Sequence, residues 1–234
     1  MDVCERNRIG EWMDEPDLEA GLHEQALSAI RRINLFSRTA TFLARRIACE
    51  ARARNLTRLR ILDVASGGGD NALGIARALR ANGFRPQIDG WDISATAVRL
   101  SNAAADRLHE SSVQFFQRDA LQDDIQRPYD FIVSSLFFHH LERDDTVHLL
   151  RRLAAKTGVA LLINDLLRSR VGYWLAWAGC RLITRSPVVR FDGPTSVQSA
   201  YSLAEIREIA KESGLSDAQL SRHWPERFLL AWSP

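Results

Sequence analysis

The pattern of hydrophobic and polar positions changes near residue 58, from helical spacing to short apolar runs. Residues 23–54 carry apolar side chains at helical spacing on either side of a break at 34–37, which is typical of two amphipathic helices. These helices are predicted to form an N-terminal helical cap over residues 1–57. Beyond them, runs rich in leucine and β-branched residues alternate with alanine-rich stretches, as strands and helices do in α/β proteins.

The second region, residues 58–234, is predicted to alternate strands and helices. Strands are predicted at 59–64, 87–91, 113–117, 131–135 and 159–164, with helices at 71–79, 95–108 and 144–156. Such alternation implies a doubly wound α/β fold, in which a mostly parallel sheet has helices on both faces. The remaining predicted elements are a helix and a terminal hairpin, at 203–213, 218–223 and 228–232.

Residues 166–201 interrupt this alternation and are predicted to be an inserted lid or docking surface. Trp174 and Trp177 lie there within a frame of arginines, and three interpretations stay open: a lid over an apolar substrate, a helix on a membrane surface, or core. Residues 192–194, Asp-Gly-Pro, predict a turn. Arg190 either faces a substrate phenolate or carboxylate, or pairs with an aspartate to fix that turn. The predicted substrate residues are therefore Trp174, Trp177 and Arg190.

Length and composition limit the class of protein. A chain of 234 residues with 46% hydrophobic residues can build one domain with a sizeable core. The formal net charge of +2 gives no reason to expect a nucleic-acid partner. Cys4, Cys49 and Cys180 lie far apart without metal-ligand spacing, so neither a disulfide framework nor a metal site is predicted. The charged N-terminus has no signal-peptide pattern, and the apolar run 171–180 is too short to cross a bilayer, which favours a cytoplasmic protein.

The strongest local signal is a glycine turn, DVASGGGD at residues 63–70, between a predicted strand and a predicted helix. Glycines at such a turn let a ligand approach the backbone beneath a helix N-terminus. A dinucleotide fingerprint requires glycine where this chain has Ala65 and Asp70. The carboxylates of Asp63 and Asp70 would also repel a pyrophosphate. The turn therefore favours a cationic or hydroxyl-rich ligand, and a role of Asp63 in capping the helix stays an alternative.

Polar residues follow the next three strands as well. Asp92 ends the second strand, where a carboxylate can accept both hydroxyl protons of a ribose. Asp119 follows the third strand, where it is either an ordinary loop residue or an acceptor for the amino group of an adenine. The fourth strand ends in SSLFFHH at 134–140, an aromatic and imidazole ledge. Because the carboxyl ends of parallel strands share one edge, these strand ends converge on one crevice.

This set of motifs resembles the class I S-adenosylmethionine-dependent methyltransferases. The resemblance rests on DVASGGGD, IDGWDIS, QRDA and YDFIVSSLFFHHL, and covers about residues 58–165 and the closing hairpin. It implies a Rossmann-like, seven-stranded sheet with an antiparallel last hairpin, S-adenosylmethionine as cofactor and S-adenosylhomocysteine as product. The methionine part of the cofactor would face the glycine turn, its ribose would face Asp92, and its adenine would face Asp119. Its methyl group would face the residues from Leu136 onward. The implied cofactor-binding residues are Asp63, Ala65, Ser66, Gly67, Gly69, Asp92, Ile93, Asp119, Ala120, Ser135 and Leu136, with Ala65 standing where the family often has glycine.

Catalytic residues are predicted at His139, His140 and Asp165. An imidazole beside the methyl group can act as a general base near neutral pH, and Asp165 can orient a histidine or bind a substrate hydroxyl. A purely structural role, packing or helix capping, stays open for each of them. Because an acceptor phenol needs help to lose its proton, the predicted acceptor is a small hydrophobic phenol or quinol, with oxygen methylation placed ahead of carbon methylation.

A looser resemblance of the helical cap, the 166–201 segment and residues 222–227 is to small bacterial methyltransferases of quinone biosynthesis and of phenolic polyketide clusters, which belong to secondary metabolism. Residues 134–140 lack the [D/N]PP[Y/F] tetrad of nucleobase amino-methyltransferases, which disfavours DNA. The predicted partners are a small-molecule acceptor and no nucleic acid, in a monomer or homodimer, with transient contact to a membrane surface left open. A non-catalytic S-adenosylmethionine-binding module and a nicotinamide-dependent oxidoreductase are the alternative functions.

Overall fold

The computed structural model describes residues 5–14 and 18–234 of the chain. Cys4 and the parts of the predicted helical cap at 1–4 and 15–17 lie outside the described residues. The helices are α1 (Ala20–Ser37), α2 (Thr39–Ala53), α3 (Asp70–Ala81), α4 (Ala95–Arg107), α5 (Arg143–Ala154), α6 (Arg170–Ile183), α7 (Pro187–Ser199) and α8 (Leu203–Glu212). The strands are β1 (Arg58–Val64), β2 (Arg85–Asp92), β3 (Val113–Gln117), β4 (Tyr129–Ser135), β5 (Thr157–Leu166), β6 (Gln219–His223) and β7 (Arg227–Trp232). Short 3₁₀ helices lie at Trp12–Asp14 and Phe138–His140.

The seven strands form one sheet in the order β3-β2-β1-β4-β5-β7-β6. The first five strands in this order run parallel, and β7 is antiparallel to both of its neighbours, β5 and β6. This confirms the predicted doubly wound, mostly parallel sheet with a final antiparallel hairpin. The chain adds strands on one side of β1 and then crosses to the other side with β4. Ligands of such sheets bind at this switch point, at the carboxyl ends of the strands.

Helices cover both faces of the sheet, as the sequence predicts. One core cluster joins α2, α3 and α4 to the sheet, and the other joins α5 and α8 to the opposite face. Leu43 and Ile47 of α2 are fully buried in the first cluster, beside strand residues such as Ile61. The second helix of the predicted cap is therefore part of the main hydrophobic core.

The segment at 166–201 folds into two helices, α6 and α7, which pack on α1. Cys180 of α6 and Val188 and Val189 of α7 form a small cluster with Ala26 and Ala29 of α1. This third cluster lies apart from the two clusters that cover the sheet. It joins the inserted segment to the first of the N-terminal helices.

The predicted turn at residues 192–194 is wrong, because these residues lie inside α7. The Asp192 carboxylate accepts hydrogen bonds from the backbone N–H groups of Trp12 at 2.9 Å and Met13 at 3.1 Å. A side chain at Gly193 would collide with Cys180 of α6, so glycine allows the two helices to pack closely. Tertiary contacts thus override the local preference of Asp-Gly-Pro for a turn.

The break between the first two helices falls at a single residue, Arg38, whose φ is 56°. The sequence places this break at 34–37, but α1 continues to Ser37. The Ser37 hydroxyl donates to the backbone carbonyl of Asn34 at 3.1 Å, which is the hydrogen bond that a serine makes within a helix. Among the described residues, none of the helices is both long and apolar enough to span a membrane.

Candidate functional site

The turn after β1 holds its shape through residues with positive φ. Ala65, Gly67 and Gly69 have φ values of 56°, 53° and 77°. A Cβ at Gly67 would meet open space, whereas a Cβ at Gly69 would lie 2.6 Å from the ring of Phe115 and 2.7 Å from Ser101. Glycine at 67 therefore keeps the backbone open to a ligand, and glycine at 69 is required by packing at the start of α3.

Asp92 joins the ends of β1 and β2. Its carboxylate oxygens accept hydrogen bonds from the backbone N–H of Gly67 at 2.7 Å and of Ser94 at 2.9 Å. These bonds fix the orientation of the carboxylate, and a carboxylate oxygen can accept more than one hydrogen bond. Ser94 also caps α4 with its side chain. The predicted ribose carboxylate is thus held directly beside the glycine turn.

Asp63 is a buried carboxyl at the end of β1 with unused hydrogen-bonding capacity. Its side chain is 2% exposed, and its Oδ2 makes no hydrogen bond to any described residue. The hydroxyl of Ser66 is buried in the same unsatisfied state. Burial, and then the charges of Asp70 and Asp92, raise the pKa of Asp63 to about 8. A buried acceptor of this kind is suited to a cationic ligand such as an ammonium group.

The sequence gives no sign of a second buried charged group, an arginine that interacts with Asp70 and Asp165. Arg227 of β7 is 2% exposed, donates to Thr39 Oγ1, and keeps an Nε that no described residue accepts. Burial lowers its pKa to about 10, against the attraction of Asp165 and Asp70. The Asp70 carboxylate in turn accepts from the amide of Asn34 at 3.0 Å. The unsatisfied Arg227 donor and the unsatisfied Asp63 acceptor are the two kinds of group that bind the carboxylate and the ammonium of an amino acid.

The loop after β3 forms the adenine side of the crevice. Asp119 Oδ1 accepts from the backbone N–H of Leu121 at 2.8 Å, which leaves Oδ2 of the same carboxylate for a ligand. The carbonyl of Ala120 accepts from Arg152 of α5 at 3.0 Å, so this loop is fastened to the body of the protein. Ile93, after β2, is 66% exposed and offers an apolar surface beside Asp92. These positions agree with the predicted adenine contacts, which stay a prediction.

The residues that follow β4 begin in a strained turn. Leu136 has a φ of 57°, and its N–H donates to the carbonyl of Asn164 at 3.0 Å. The Asn164 amide donates to Ser135 Oγ at 3.2 Å and its Oδ1 lies 2.6 Å from Nε2 of His223. A left-handed leucine is uncommon and often marks a functional site. The hydrogen bonds to Asn164 hold the chain in this conformation.

His139 and Asp165 form a buried pair at the end of β4 and β5. Nδ1 of His139 lies 2.7 Å from Oδ1 of Asp165, and the side chains are only 4% and 2% exposed. The other carboxylate oxygen accepts the backbone N–H groups of Phe137 and His139, both at 3.2 Å. Burial raises the pKa of Asp165, but the charge and hydrogen bond of His139 and the N–H of Leu166 outweigh it, so the pKa lies below its ordinary value. Asp165 is therefore a carboxylate that orients the imidazole.

A carboxyl group from the N-terminal segment completes this cluster. Glu11 is buried, and its Oε1 lies 3.6 Å from Nε2 of His139, while its Oε2 lies 4.0 Å from Nε2 of His140. The hydroxyl of Ser196 donates to Glu11 at 2.6 Å. The three ligand-type atoms of Glu11, His139 and His140 lie within 4.8 Å of one another, a grouping that could hold a metal ion. The sequence predicts no metal site, since Glu11 is distant along the chain from both histidines.

The three predicted substrate residues lie on the inserted segment. Trp174 and Trp177 of α6 are 58% and 38% exposed, and they contact each other edge to face. Arg190 donates to the backbone carbonyls of Thr184 at 2.9 Å and Arg181 at 3.2 Å. Arg190 therefore fastens the connection between α6 and α7, although its pairing is with carbonyls and not with an aspartate. The tryptophans lie on the outer surface of the inserted segment.

Comparison with known proteins identifies the domain that carries this crevice. Residues 61–157 match the family described as a methyltransferase domain. No protein of curated function matches the sequence. The plantazolicin methyltransferase BpumL, in complex with S-adenosylhomocysteine, is 16% identical with a TM-score of 0.69, over 95% of this chain and 91% of that chain. The magnesium protoporphyrin IX methyltransferase ChlM from Synechocystis is 16% identical with a TM-score of 0.56, over 82% of each chain.

A candidate O-methyltransferase from Nostoc punctiforme is 18% identical with a TM-score of 0.61, over 85% of this chain. The chain spans 57% of that protein's length. These likenesses establish the fold, and the bound S-adenosylhomocysteine in BpumL and ChlM agrees with the cofactor that the glycine turn and Asp92 fit. Residues 61–157 thus match a methyltransferase domain, and the chain has the fold of the S-adenosylmethionine-dependent methyltransferases named above.

Proposed function

We propose that the protein methylates the hydroxyl oxygen of a small hydrophobic acceptor, a phenol or quinol, with S-adenosylmethionine as donor. The observation that carries this proposal is the 2.7 Å contact between His139 and Asp165, at the strand ends beside the glycine turn. An acceptor hydroxyl is a poor nucleophile until it loses its proton, and a histidine oriented by a carboxylate can take that proton. Methylation of oxygen is placed ahead of methylation of carbon, because an acceptor hydroxyl needs only this one deprotonation.

The residues at the other end of the crevice are suited to hold the cofactor. Asp63 and Ser66 have unused acceptors for the ammonium group of the methionine part, and Arg227 has an unused donor for its carboxylate. Asp92 accepts the ribose hydroxyls, and Asp119 the amino group of the adenine. When bound, S-adenosylmethionine supplies an electrophilic methyl group on a sulfonium. This chain's own task is to hold an acceptor oxygen in line with that methyl group and to exclude water.

The proton of the acceptor goes to Nε2 of His139. Because Nδ1 of His139 faces Asp165, the hydrogen bond there favours a proton on Nδ1 and a free lone pair on Nε2. Asp165 then stabilises the imidazolium that forms, as the methyl group bonds to the acceptor oxygen and sulfur keeps the electron pair. Glu11, 3.6 Å from Nε2, stabilises the same positive charge from the other side.

The apolar surroundings favour an aromatic acceptor. Phe137 lies 6.5 Å from the ring of His140 and contacts Phe138 edge to face. Phe138 is fully buried and supports Phe137, whose half-buried ring is the one against which a phenol ring can pack. The relatives named above methylate plantazolicin and magnesium protoporphyrin IX. The phenolic acceptor therefore rests on the local chemistry of this chain.

The test compares His139→Asn with the matched variant His148→Asn, which changes an exposed histidine on α5. With a panel of alkylated phenols and quinols, we expect kcat of His139→Asn to fall by about 10²- to 10⁴-fold, the usual contribution of a general base. Calorimetric titration with S-adenosylmethionine should give the same affinity for both variants. Asp92→Ala should instead weaken that affinity. Full activity of His139→Asn would exclude the base, and activity on amines or carboxylates alone would exclude the hydroxyl acceptor.

A further inference from the structure

The outer face of α6 is apolar along its whole length. Val171, Trp174, Leu175 and Leu182 follow one another at helical spacing and are 60%, 58%, 38% and 86% exposed. Monomeric proteins usually expose large hydrophobic residues singly, so a continuous stripe of them indicates an interaction surface. The opposite face of the helix is already packed, with Cys180 buried against α1 and α7. The stripe is therefore not required by the fold of the described residues.

The apolar surface continues onto the end of α1. Phe36 is 65% exposed, and together with Ile183 at the end of α6 it lines a shallow cavity. The other residues around this cavity are two arginines, Arg32 and Arg38. We call the exposed apolar face of α6 together with Phe36 the α6 surface. It has two tryptophans near one end and a phenylalanine near the other.

The charges around the α6 surface are of one sign. Between Asp165 and Asp192 the sequence has five arginines and no acidic residue. Two of the five, Arg168 and Arg190, are held by partners inside the protein, whereas the other three are exposed: Arg170, Arg181 and Arg185. The guanidinium of Arg181 lies 4.1 Å from the ring centre of Trp177.

Two acidic side chains on neighbouring elements are already paired with other residues. Glu226 accepts from Ser169 at the start of α6 and is also paired with Arg222 of the hairpin. Glu24 of α1 is paired with Arg99 of α4. The exposed arginines around the apolar stripe therefore give it a positive rim.

We propose that the α6 surface docks on the surface of a lipid bilayer rich in anionic lipids, with α6 lying parallel to it. An apolar helix face rimmed by arginines is suited to insert among acyl chains while its cations pair with phosphate groups. Tryptophans are favoured at this depth because their rings are apolar with one polar edge. A second copy of the chain is a poorer partner, since self-association of this face would bring the arginine rims together.

The experiment measures binding of the full chain to vesicles without cofactor or acceptor, so its result is independent of the proposed reaction. Vesicles of phosphatidylcholine with an equal part of phosphatidylglycerol are compared with pure phosphatidylcholine vesicles by co-sedimentation. We expect binding about tenfold stronger to the anionic vesicles, weakening as salt rises. Brominated acyl chains should quench tryptophan fluorescence in the wild type, and much less in Trp174→Phe, which keeps an apolar ring.

Variants distinguish the apolar contribution to vesicle binding from the electrostatic contribution. Leu182→Ser removes the most exposed apolar side chain of the helix, and Leu108→Ser is the matched control at the C-cap of α4, where Leu108 is 51% exposed. We expect Leu182→Ser to weaken binding about tenfold and Leu108→Ser to leave it unchanged. Arg170→Gln combined with Arg181→Gln should abolish the preference for anionic vesicles.

Three outcomes would overturn the proposal. One is the lack of vesicle binding by a folded wild-type protein. Another is equal binding by the wild type and Leu182→Ser, which would place the contact elsewhere. The third is a concentration-dependent dimer that Leu182→Ser abolishes while vesicles bind neither form, which would assign the α6 surface to a second copy.

Discussion

At the scale of single residues, the crevice is marked by polar atoms that the described part of the chain leaves unsatisfied. Asp63 Oδ2, Ser66 Oγ and Arg227 Nε are buried and make no hydrogen bond to any described residue. Buried polar groups are normally paired, because an unpaired group loses its hydrogen bonds to water and gains none within the protein. The two charged residues among them have opposite signs, which matches a ligand that is itself a zwitterion.

The raised pKa of Asp63 predicts how cofactor affinity depends on pH. With a pKa of about 8, the carboxyl is mostly protonated at neutral pH in the free protein. An ammonium group beside it favours the charged form, so binding below pH 8 must displace a proton. We expect S-adenosylmethionine affinity to fall as pH decreases from 8 to 6, by up to about tenfold per pH unit. Calorimetric titration at several pH values measures this.

Asp63→Asn should bind S-adenosylmethionine more weakly and without this dependence on pH, whereas Asp124→Asn, at an exposed loop position, should keep the dependence.

The raised pKa of Asp63 also affects the stability of the protein without ligand. Since the folded value of about 8 exceeds the ordinary 3.8, the folded state binds the extra proton between these values. The free energy of unfolding contributed by Asp63 is therefore full below pH 4 and is lost as pH rises to about 8. An affinity that stays constant or rises toward acid would contradict the assignment of Asp63.

At the scale of elements, two segments distant along the chain come together beside the pair of His139 and Asp165. Asp192 of α7 binds the backbone of the N-terminal 3₁₀ helix at Trp12 and Met13. That segment carries Glu11, which lies between His139 and the hydroxyl of Ser196 on α7. The inserted helices therefore position an acidic residue beside His139. The lid interpretation stays a prediction, and α7 is the part of the inserted segment that contacts Glu11.

Replacing Asp192 tests this coupling. Asp192→Ala leaves the N–H groups of Trp12 and Met13 without their acceptor, which should lower the free energy of unfolding by about 1–3 kcal/mol. It should also lower kcat by displacing Glu11, while S-adenosylmethionine affinity stays near that of the wild type. Chemical denaturation, turnover and calorimetry measure the three quantities. Asp106→Ala, an exposed position on α4, is the control, and equal losses of kcat and cofactor affinity would argue against the coupling.

At the scale of the whole molecule, the helices that precede the sheet along the chain are built into its core. Leu43 of α2 is fully buried in the cluster that holds Ile61 of β1 and Leu162 of β5. A detachable cap would have its own core and a polar interface with the rest. Here α2 instead covers one face of the central strands, so removing it would expose the sheet.

Leu43→Ala should therefore destabilise the entire protein in one transition. Truncating a buried leucine costs about 2–5 kcal/mol because a cavity remains. Leu108→Ala, with a 51% exposed side chain, should change stability by less than about 0.5 kcal/mol. Thermal unfolding followed by circular dichroism and by tryptophan fluorescence checks both values. Two separate transitions, with only one shifted by Leu43→Ala, would show instead that the N-terminal helices unfold independently of the sheet.

Most of the sheet was predictable because its strands are buried on both faces and so read as continuous apolar runs. The strand predicted at 131–135 lies within β4, in which all residues but one are buried. The glycine turn and Asp92 were predictable because a local motif follows each strand. The helical conformation of residues 192–194 was not predictable from the local sequence. It depends on packing against α6 and on hydrogen bonds to the N-terminal segment.

The sequence by itself determined the class of fold, the cofactor crevice and the histidine ledge, because each depends on residues close together along one strand and its turn. Tertiary structure alone decided which groups face one another. It brought Glu11 to His139, Arg227 to Asp70 and Asp165, and the apolar stripe of α6 to the surface. The physical reason is that the local sequence around a charged or apolar side chain is the same whether or not a distant segment of the chain covers that side chain. Only folding settles which buried groups are paired and which are left for a ligand.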